Sequence, residues 1–139
     1  MKKYLSIDLG GTQARVAIVD EEGNILKDVS GSSKSKESTN VIVNNIYSLV
    51  DKIGDLSEVS GIGICVPGPV DQEKGWMNMA TNIPGLLHVP LVSLLEERYN
   101  LPVYMDNDAN VAALAEALVG VGKGEPVVVY VTHSTGVGA

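Results

Sequence analysis

Two short stretches of this chain carry residue types that could do chemistry. The first is Asp8-Leu9-Gly10-Gly11-Thr12. An apolar run ends on an acid, and two glycines and a threonine follow. Adjacent glycines let bare backbone N–H groups approach an anion closely. Asp8 suits a Mg²⁺ ion held through water, because Mg²⁺ prefers oxygen ligands and keeps several of its waters. That is the chemistry of a nucleotide phosphate site. An ordinary Gly-Gly hairpin is the other reading of the same residues.

The second stretch is Met105-Asp106-Asn107-Asp108-Ala109-Asn110. Asp and Asn are preferred helix N-caps, so capping alone would account for one of them. Four polar residues in five exceed that need. Asp108 at a helix start sits in a positive field that favours its ionised form. A carboxylate there can orient an alcohol and take its proton as a general base. Asn107 can donate to and accept from neighbouring hydroxyls. A third stretch, Ser134-Thr135-Gly136-Val137-Gly138, is rich in small residues and follows an apolar run. It reads either as a second phosphate loop or as a plain tail.

These residues need elements to hold them. Apolar runs predict a three-strand meander over 3–9, 13–20 and 25–31, with its first turn at residues 10–12. Ile42, Ile46, Leu49, Val50 and Ile53 form one helical stripe, which predicts a helix over 39–53 ended by Gly54. A buried strand is expected over 59–66, closed by Pro67-Gly68-Pro69. A short hairpin follows over 70–79, turning through Glu73-Lys74-Gly75. A second helix is expected over 91–99, a strand over 101–105 and a third helix over 109–119. The third helix should pack Val111, Leu114, Ala115 and Leu118 against a sheet. A hinge-like glycine break at 120–124 and a strand over 126–132 complete the pattern. A meander followed by alternating strands and helices indicates an α/β fold with a mixed central sheet and flanking helices. Residues 1–122 read as one lobe, and 123–139 as a hinge and the first strand of a second, incomplete one.

The bulk composition narrows the function. The chain has 139 residues and is 45% apolar, the size of one domain with a real core. Its net charge of −7 argues against a nucleic-acid partner. Cys65 is the single cysteine, so neither an internal disulfide nor a cysteine-rich zinc site is expected. Cys65 and Trp76 read as packing residues. His88 and His133 are too few and too far apart for a metal cage. No apolar run approaches a membrane span, and the first residues do not form a signal peptide. A cytoplasmic protein is expected. Gly61-Ile62-Gly63 lacks the third glycine of a dinucleotide fingerprint, and no P-loop motif is present.

With these pieces in order, the chain resembles the N-terminal half of ROK-family proteins, a group of sugar kinases and sugar-responsive repressors. Four segments carry the resemblance across essentially the whole chain. They are Asp8 to Thr12, Gly61 to Asp71 with its Pro67-Gly68-Pro69, Asn107 to Glu116, and Thr132 to Gly138. The resemblance implies an actin-like ATPase (ribonuclease H-like) lobe and ATP-dependent phosphorylation of a hexose with Mg²⁺. It implies that Asp108 is the catalytic base, that Asn107 is a sugar ligand, and that Gly68, Gly75 and Asn82 lie near the sugar pocket. Read alone, Asn82 is a turn former or a substrate contact. Asp8, Gly10, Gly11, Thr12, Thr135 and Gly136 would face ATP, with Mg²⁺ near Asp8 through water.

The chain also departs from the family pattern. Ser134 stands where a glycine is usual, which would crowd ATP. The zinc motif and the second half of the cleft are missing. A fragment or a shortened relative is therefore expected, inactive as a kinase by itself. The partners implied are a small sugar and ATP, with a homo-oligomer also expected. The alternatives are a sugar-sensing regulator and a non-catalytic sugar-binding or assembly module. The early start of the phosphate hairpin leaves no space before it for a DNA-binding module. An unpaired strand at 127–131 favours assembly.

Overall fold

A computed structural model describes residues 1–133 and 137–139. Strands β1 (Lys3–Leu9), β2 (Gln13–Asp20) and β3 (Ile25–Ser32) form the expected antiparallel meander. Helix α1 (Thr39–Ile53) leads to β4 (Val59–Val66), then to the small hairpin β5 (Val70–Asp71) and β6 (Trp76–Met77). A 3₁₀ turn at Pro84–Leu86 precedes α2 (Leu91–Tyr99), β7 (Val103–Asn107) and α3 (Asp108–Leu118). Two-residue strands β8 (Thr132–His133) and β9 (Val137–Gly138) pair at the end. The main sheet has the order β3-β2-β1-β4-β7, antiparallel in the meander and parallel from β1 through β4 to β7.

The core lies on one face of this sheet. Strand side chains alternate between faces. Leu5, Ile7 and Leu9 align across the register with Ile18, Val16 and Ala14 on one side, and Leu5 and Ile7 with Ile62 and Ile64 on the other. All of these are buried together with Ile42, Ile46, Leu49, Val50 and Ile53 of α1 and Leu91 and Leu95 of α2. Helix α1 earns its place by the stripe legible in its sequence. Gly85 lets the 3₁₀ turn press onto the start of α1, because a Cβ there would lie 2.8 Å from the Glu37 carbonyl oxygen.

The opposite face carries small and polar residues: Ser6 and Asp8 on β1, Gly63 and Cys65 on β4, Asp106 on β7. Only α3 crosses it. The face of α3 expected to be buried is not: no residue of this helix is buried, and Leu114 and Leu118 are 58% and 60% exposed. Val111 and Leu114 instead line an apolar cavity of about 430 Å³ with Ser6, Gly63, Cys65 and Tyr104. The space beneath the helix is open at Gly63, with nothing within 4 Å of where its Cβ would be.

Two further expectations need correction. Strand β7 runs over Val103–Asn107, not 101–105, pairing with β4 as far as Val66. Pro102 has no N–H for the ladder, and the polar residues after Met105 belong to the strand itself. The strand expected over 126–132 forms only at Thr132–His133. Its apolar residues alternate between exposed and half-buried, with Val127, Val129 and Val131 outward. The strand chemistry is present, but among the described residues the segment has no neighbouring strand to complete a ladder.

Candidate active site

The parallel strands β1, β4 and β7 end side by side, and the chemistry gathers at those ends. Asp8 on β1 is level with Cys65 on β4, and Cys65 is level with Asp106 on β7. Asn107 is the last residue of β7, and Asp108 opens α3. Asp8 and Asp108 are both exposed.

Cys65 contacts the first of them. Its thiol donates to Asp8 Oδ1 at 3.2 Å. Burial pushes its pKa up to about 12, and the charges of Asp8 and then Asp108 add to that rise. Asp8 thus touches the thiol, and the charge of Asp108 is felt there. Among the described residues, no group of three or more His, Cys, Asp and Glu side chains could cage a metal. Asp8 offers a single free carboxylate edge. That donor set fits a largely hydrated Mg²⁺ ion and not an ion that demands a full protein shell.

The turn at residues 10–12 is held tightly. Gly10 N–H donates to the Gln13 carbonyl at 2.9 Å. The Ser35 hydroxyl donates to the Gly11 carbonyl, and Ser33 N–H to the Thr12 carbonyl at 3.0 Å. Neither Gly10 nor Gly11 has a positive φ. Space makes glycine useful here: a Cβ on Gly10 would lie 3.1 Å from the Gln13 oxygen, and one on Gly11 would lie 3.4 Å from Asn82 Cβ. Asn82 thus touches the turn. Among the described residues, the N–H groups of Gly11 and Thr12 find no acceptor.

On the other side of the strand ends, Asn107 caps α3. Its Oδ1 accepts from the N–H groups of Ala109 at 2.9 Å and Asn110 at 3.4 Å. Its Nδ2 donates to the Gly68 carbonyl at 3.0 Å. Asp106 Oδ1 accepts from Asn107 N–H at 2.7 Å and from Asn110 Nδ2 at 3.0 Å. An open cavity of about 600 Å³ is lined by Gly68, Gln72, Asp106, Asn107 and Asn110, with Pro69 and Val70. Gly68 has φ 112°, and a Cβ on it would sit 2.7 Å from the Met79 carbonyl oxygen. Only glycine suits that corner.

The predicted residues thus fall into two clusters near the ends of the parallel strands. Asp8, Gly10, Gly11, Thr12 and Asn82 lie around the turn. Gly68, Asn107 and Asp108 lie around the mouth of α3. Gly75 belongs to neither: it turns the β5–β6 hairpin at φ 65°, its Cα against Val92 of α2. Thr135, Gly136 and Ser134 lie outside the described residues. Sequence reasoning gave no role to Gln72, to Asn110 or to Arg15. Arg15 stands opposite Asp8 in the β1–β2 register and so shares its face. The strand alternation that buries Ala14 and Val16 and leaves Arg15 between them on the other face could have revealed it.

Residues 4–139 match the sequence pattern of the ROK family. The chain belongs to the ROK family. It is 34% identical over 136 residues to a glucokinase of Thermotoga maritima, covering 98% of this chain and 43% of that protein. It is 31% identical over 138 residues to a xylose repressor of Bacillus subtilis, covering 96% of this chain and 35% of that protein. Among solved structures, a ROK glucokinase from Streptomyces griseus in complex with glucose and AMPPNP superposes with a TM-score of 0.78 at 34% identity. That match covers 88% of this chain and 38% of the other. The chain therefore spans less than half the length of the curated relatives it matches. Its fold is that of the ROK sugar kinases, an actin-like ATPase lobe built on a mixed sheet.

Proposed function

We propose that this chain forms the N-terminal lobe of an ATP-dependent hexose kinase of the ROK type. The observation that carries the reading is the register that sets Asp8 on β1 and the Asn107-Asp108 start of α3 at neighbouring strand ends on either side of β4, with the glycine turn after β1 and a polar cavity beside Asn107. Phosphoryl transfer needs little covalent help from a protein. It needs positioning and neutralised charge.

In this reading the free N–H groups of Gly11 and Thr12 hold phosphate oxygens, with Gly10 and Asn82 shaping the turn. Thr135 and Gly136 would supply a second phosphate contact. Asp8 would hold a hydrated Mg²⁺ ion, which would supply charge neutralisation on the phosphates. Asp108 takes the proton of the sugar hydroxyl as it attacks. Its exposure leaves it open to substrate. Asn107 and Gly68 shape the sugar side. One proton of the Asn107 amide is committed to Gly68, so a sugar would meet only what remains of it. Gly75 would act at one remove, by fixing the hairpin that carries Gln72.

Residues 1–122 act as one lobe, and 123–139 begin the crossing to a second. A closed cleft needs both, so the 139-residue chain binds without transferring phosphate. Sugar and ATP are the partners proposed. A cytoplasmic setting and self-association complete the reading. No helix among the described residues is long and apolar enough to cross a membrane.

Two measurements test the reading. Isothermal titration of the 139-residue chain with hexoses and with MgATP should show weak binding of each. A coupled assay should show no turnover. Heat from neither ligand overturns the site assignment, and robust phosphorylation by this chain alone overturns the half-cleft reading. A sugar-responsive regulator is the second reading, favoured by the similarity to the xylose repressor. Sugar binding with no nucleotide binding, together with a shifted DNA fragment in a gel, would select it.

A further inference from the structure

The loop between β3 and α1 has no part in the roles assigned so far, yet it grips the glycine turn twice. Ser33 and Ser35 are buried, at 1% and 7% exposure, and they are among the three buried polar residues in the described chain. The Ser35 hydroxyl donates to the Gly11 carbonyl. The Ser33 N–H donates to the Thr12 carbonyl at 3.0 Å.

These contacts have a directional consequence. A peptide unit is planar and trans, so its C=O and N–H point in opposite directions, and no peptide bond here is cis. The carbonyl of Gly11 and the N–H of Thr12 belong to one such unit. A donor that fixes the carbonyl inward fixes the N–H outward. We propose that Ser35 is a positioning residue for anion binding: by holding the Gly11 carbonyl, it aims the Thr12 N–H at a phosphate oxygen.

The rest of the loop supports the clamp. Ser33 restrains the next peptide unit through its own N–H. Glu37 N–H closes onto the Lys34 carbonyl at 2.9 Å. The Thr39 hydroxyl, at the start of α1, donates to the Gly85 carbonyl at 2.6 Å. Asn82 stands close by, 3.4 Å from where a Cβ on Gly11 would be. The turn is thus held through its carbonyls by this loop, and among the described residues the N–H groups of Gly11 and Thr12 are left without acceptors. Donors fixed before an anion arrives need no reorganisation to bind it. A glycine turn without such a clamp would have to order itself on binding.

The inference rests on the turn holding phosphate, and the experiment separates the two. The probes are MgATP and inorganic tripolyphosphate, titrated into the ¹⁵N-labelled 139-residue chain and followed by amide NMR. In the parent chain the Gly11 and Thr12 amides should shift. Ser35→Ala should weaken that response about fivefold to tenfold, the scale of one lost hydrogen bond. Ser35→Cys, which keeps the shape with a weaker donor, should fall between. Ser35→Thr should restore binding. Ser33→Ala should leave it unchanged, because Ser33 acts through its backbone. Shifts at Asn107 and Asn110 on adding glucose should be the same in every variant, which a general loss of structure would not allow. A parent chain whose Gly11 and Thr12 amides ignore both probes overturns the phosphate reading and the clamp with it. A parent chain that responds, with Ser35→Ala and Ser35→Cys responding equally well, overturns the clamp alone.

Discussion

The side-chain amide of Asn107 donates to the carbonyl of Gly68, 39 residues earlier in the chain. One residue therefore caps α3 and fastens it to the loop after β4. Asn107→Ala should lose both. A lost N-cap alone costs about 1 kcal/mol, so the unfolding free energy from urea titration should fall by at least that much, with a lower midpoint. Asn107→Asp keeps the capping oxygens and loses the donor, and should recover part of the loss. Equal midpoints for all three proteins would show that the fastening contributes nothing.

Gly68 and Gly63 should answer differently to the same substitution. Gly68→Ala places a Cβ 2.7 Å from the Met79 carbonyl oxygen at a φ of 112°. A strained backbone of this kind costs about 1–3 kcal/mol. Gly63→Ala meets open space and should change stability by no more than about 0.5 kcal/mol. Thermal melts of the two variants side by side would decide this, and a reversed order would refute it.

Cys65 sets an alkaline limit. Its folded pKa stands near 12, against an ordinary thiol value of 9.0. Between those values the folded chain holds the proton more tightly than the unfolded chain does. Stability should therefore be unaffected by Cys65 below about pH 9 and should decline as pH rises through the window towards 12. Cys65→Ala should remove that part of the decline. The same rise keeps the thiol protonated near neutrality, so iodoacetamide should label it slowly. Asp8→Asn, which removes the nearest charge, should speed the labelling. Rapid labelling of the parent chain at pH 7 would contradict the burial and charge described around it.

Asp108 is the test of the chemistry. In any form of the protein that phosphorylates a hexose, Asp108→Ala should lower kcat by about 10²–10⁴-fold, the usual contribution of a general base. The hexose KM should change little. A variant with an unaltered kcat would remove Asp108 from the role of base.

Much of this arrangement was legible in the sequence, for physical reasons that differ by element. Helix α1 was clear because Ile42, Ile46, Leu49, Val50 and Ile53 all meet one core, so periodicity and packing agree. The meander was clear because its turns are short and its runs are strongly apolar. The burial of α3 was misread. Its apolar stripe has helical spacing, but spacing says nothing about whether a surface waits for it, and the sheet beneath offers Gly63 and Ser6. The strand over 126–132 failed for a related reason: Val127 to Val131 have strand propensity, but propensity cannot supply a neighbour. At the site, Asp8 and Asp108 could be picked out by residue type. Their placement at neighbouring strand ends depended on the parallel register of β1, β4 and β7, which no local pattern encodes. Ser35 was hidden in a polar connection that looked like solvent-facing linker, because a buried serine and an exposed one read alike in sequence.

The one-sided core has a consequence for how such a lobe can diversify. Nearly every side chain that holds the fold together faces α1 and α2, whereas Asp8, Cys65, Asp106 and Asp108 sit on or beside the other layer. Substitutions among the latter draw little on the packing that keeps the chain folded. A scaffold divided in this way can exchange one ligand for another, or give up turnover and keep recognition, without first having to be restabilised.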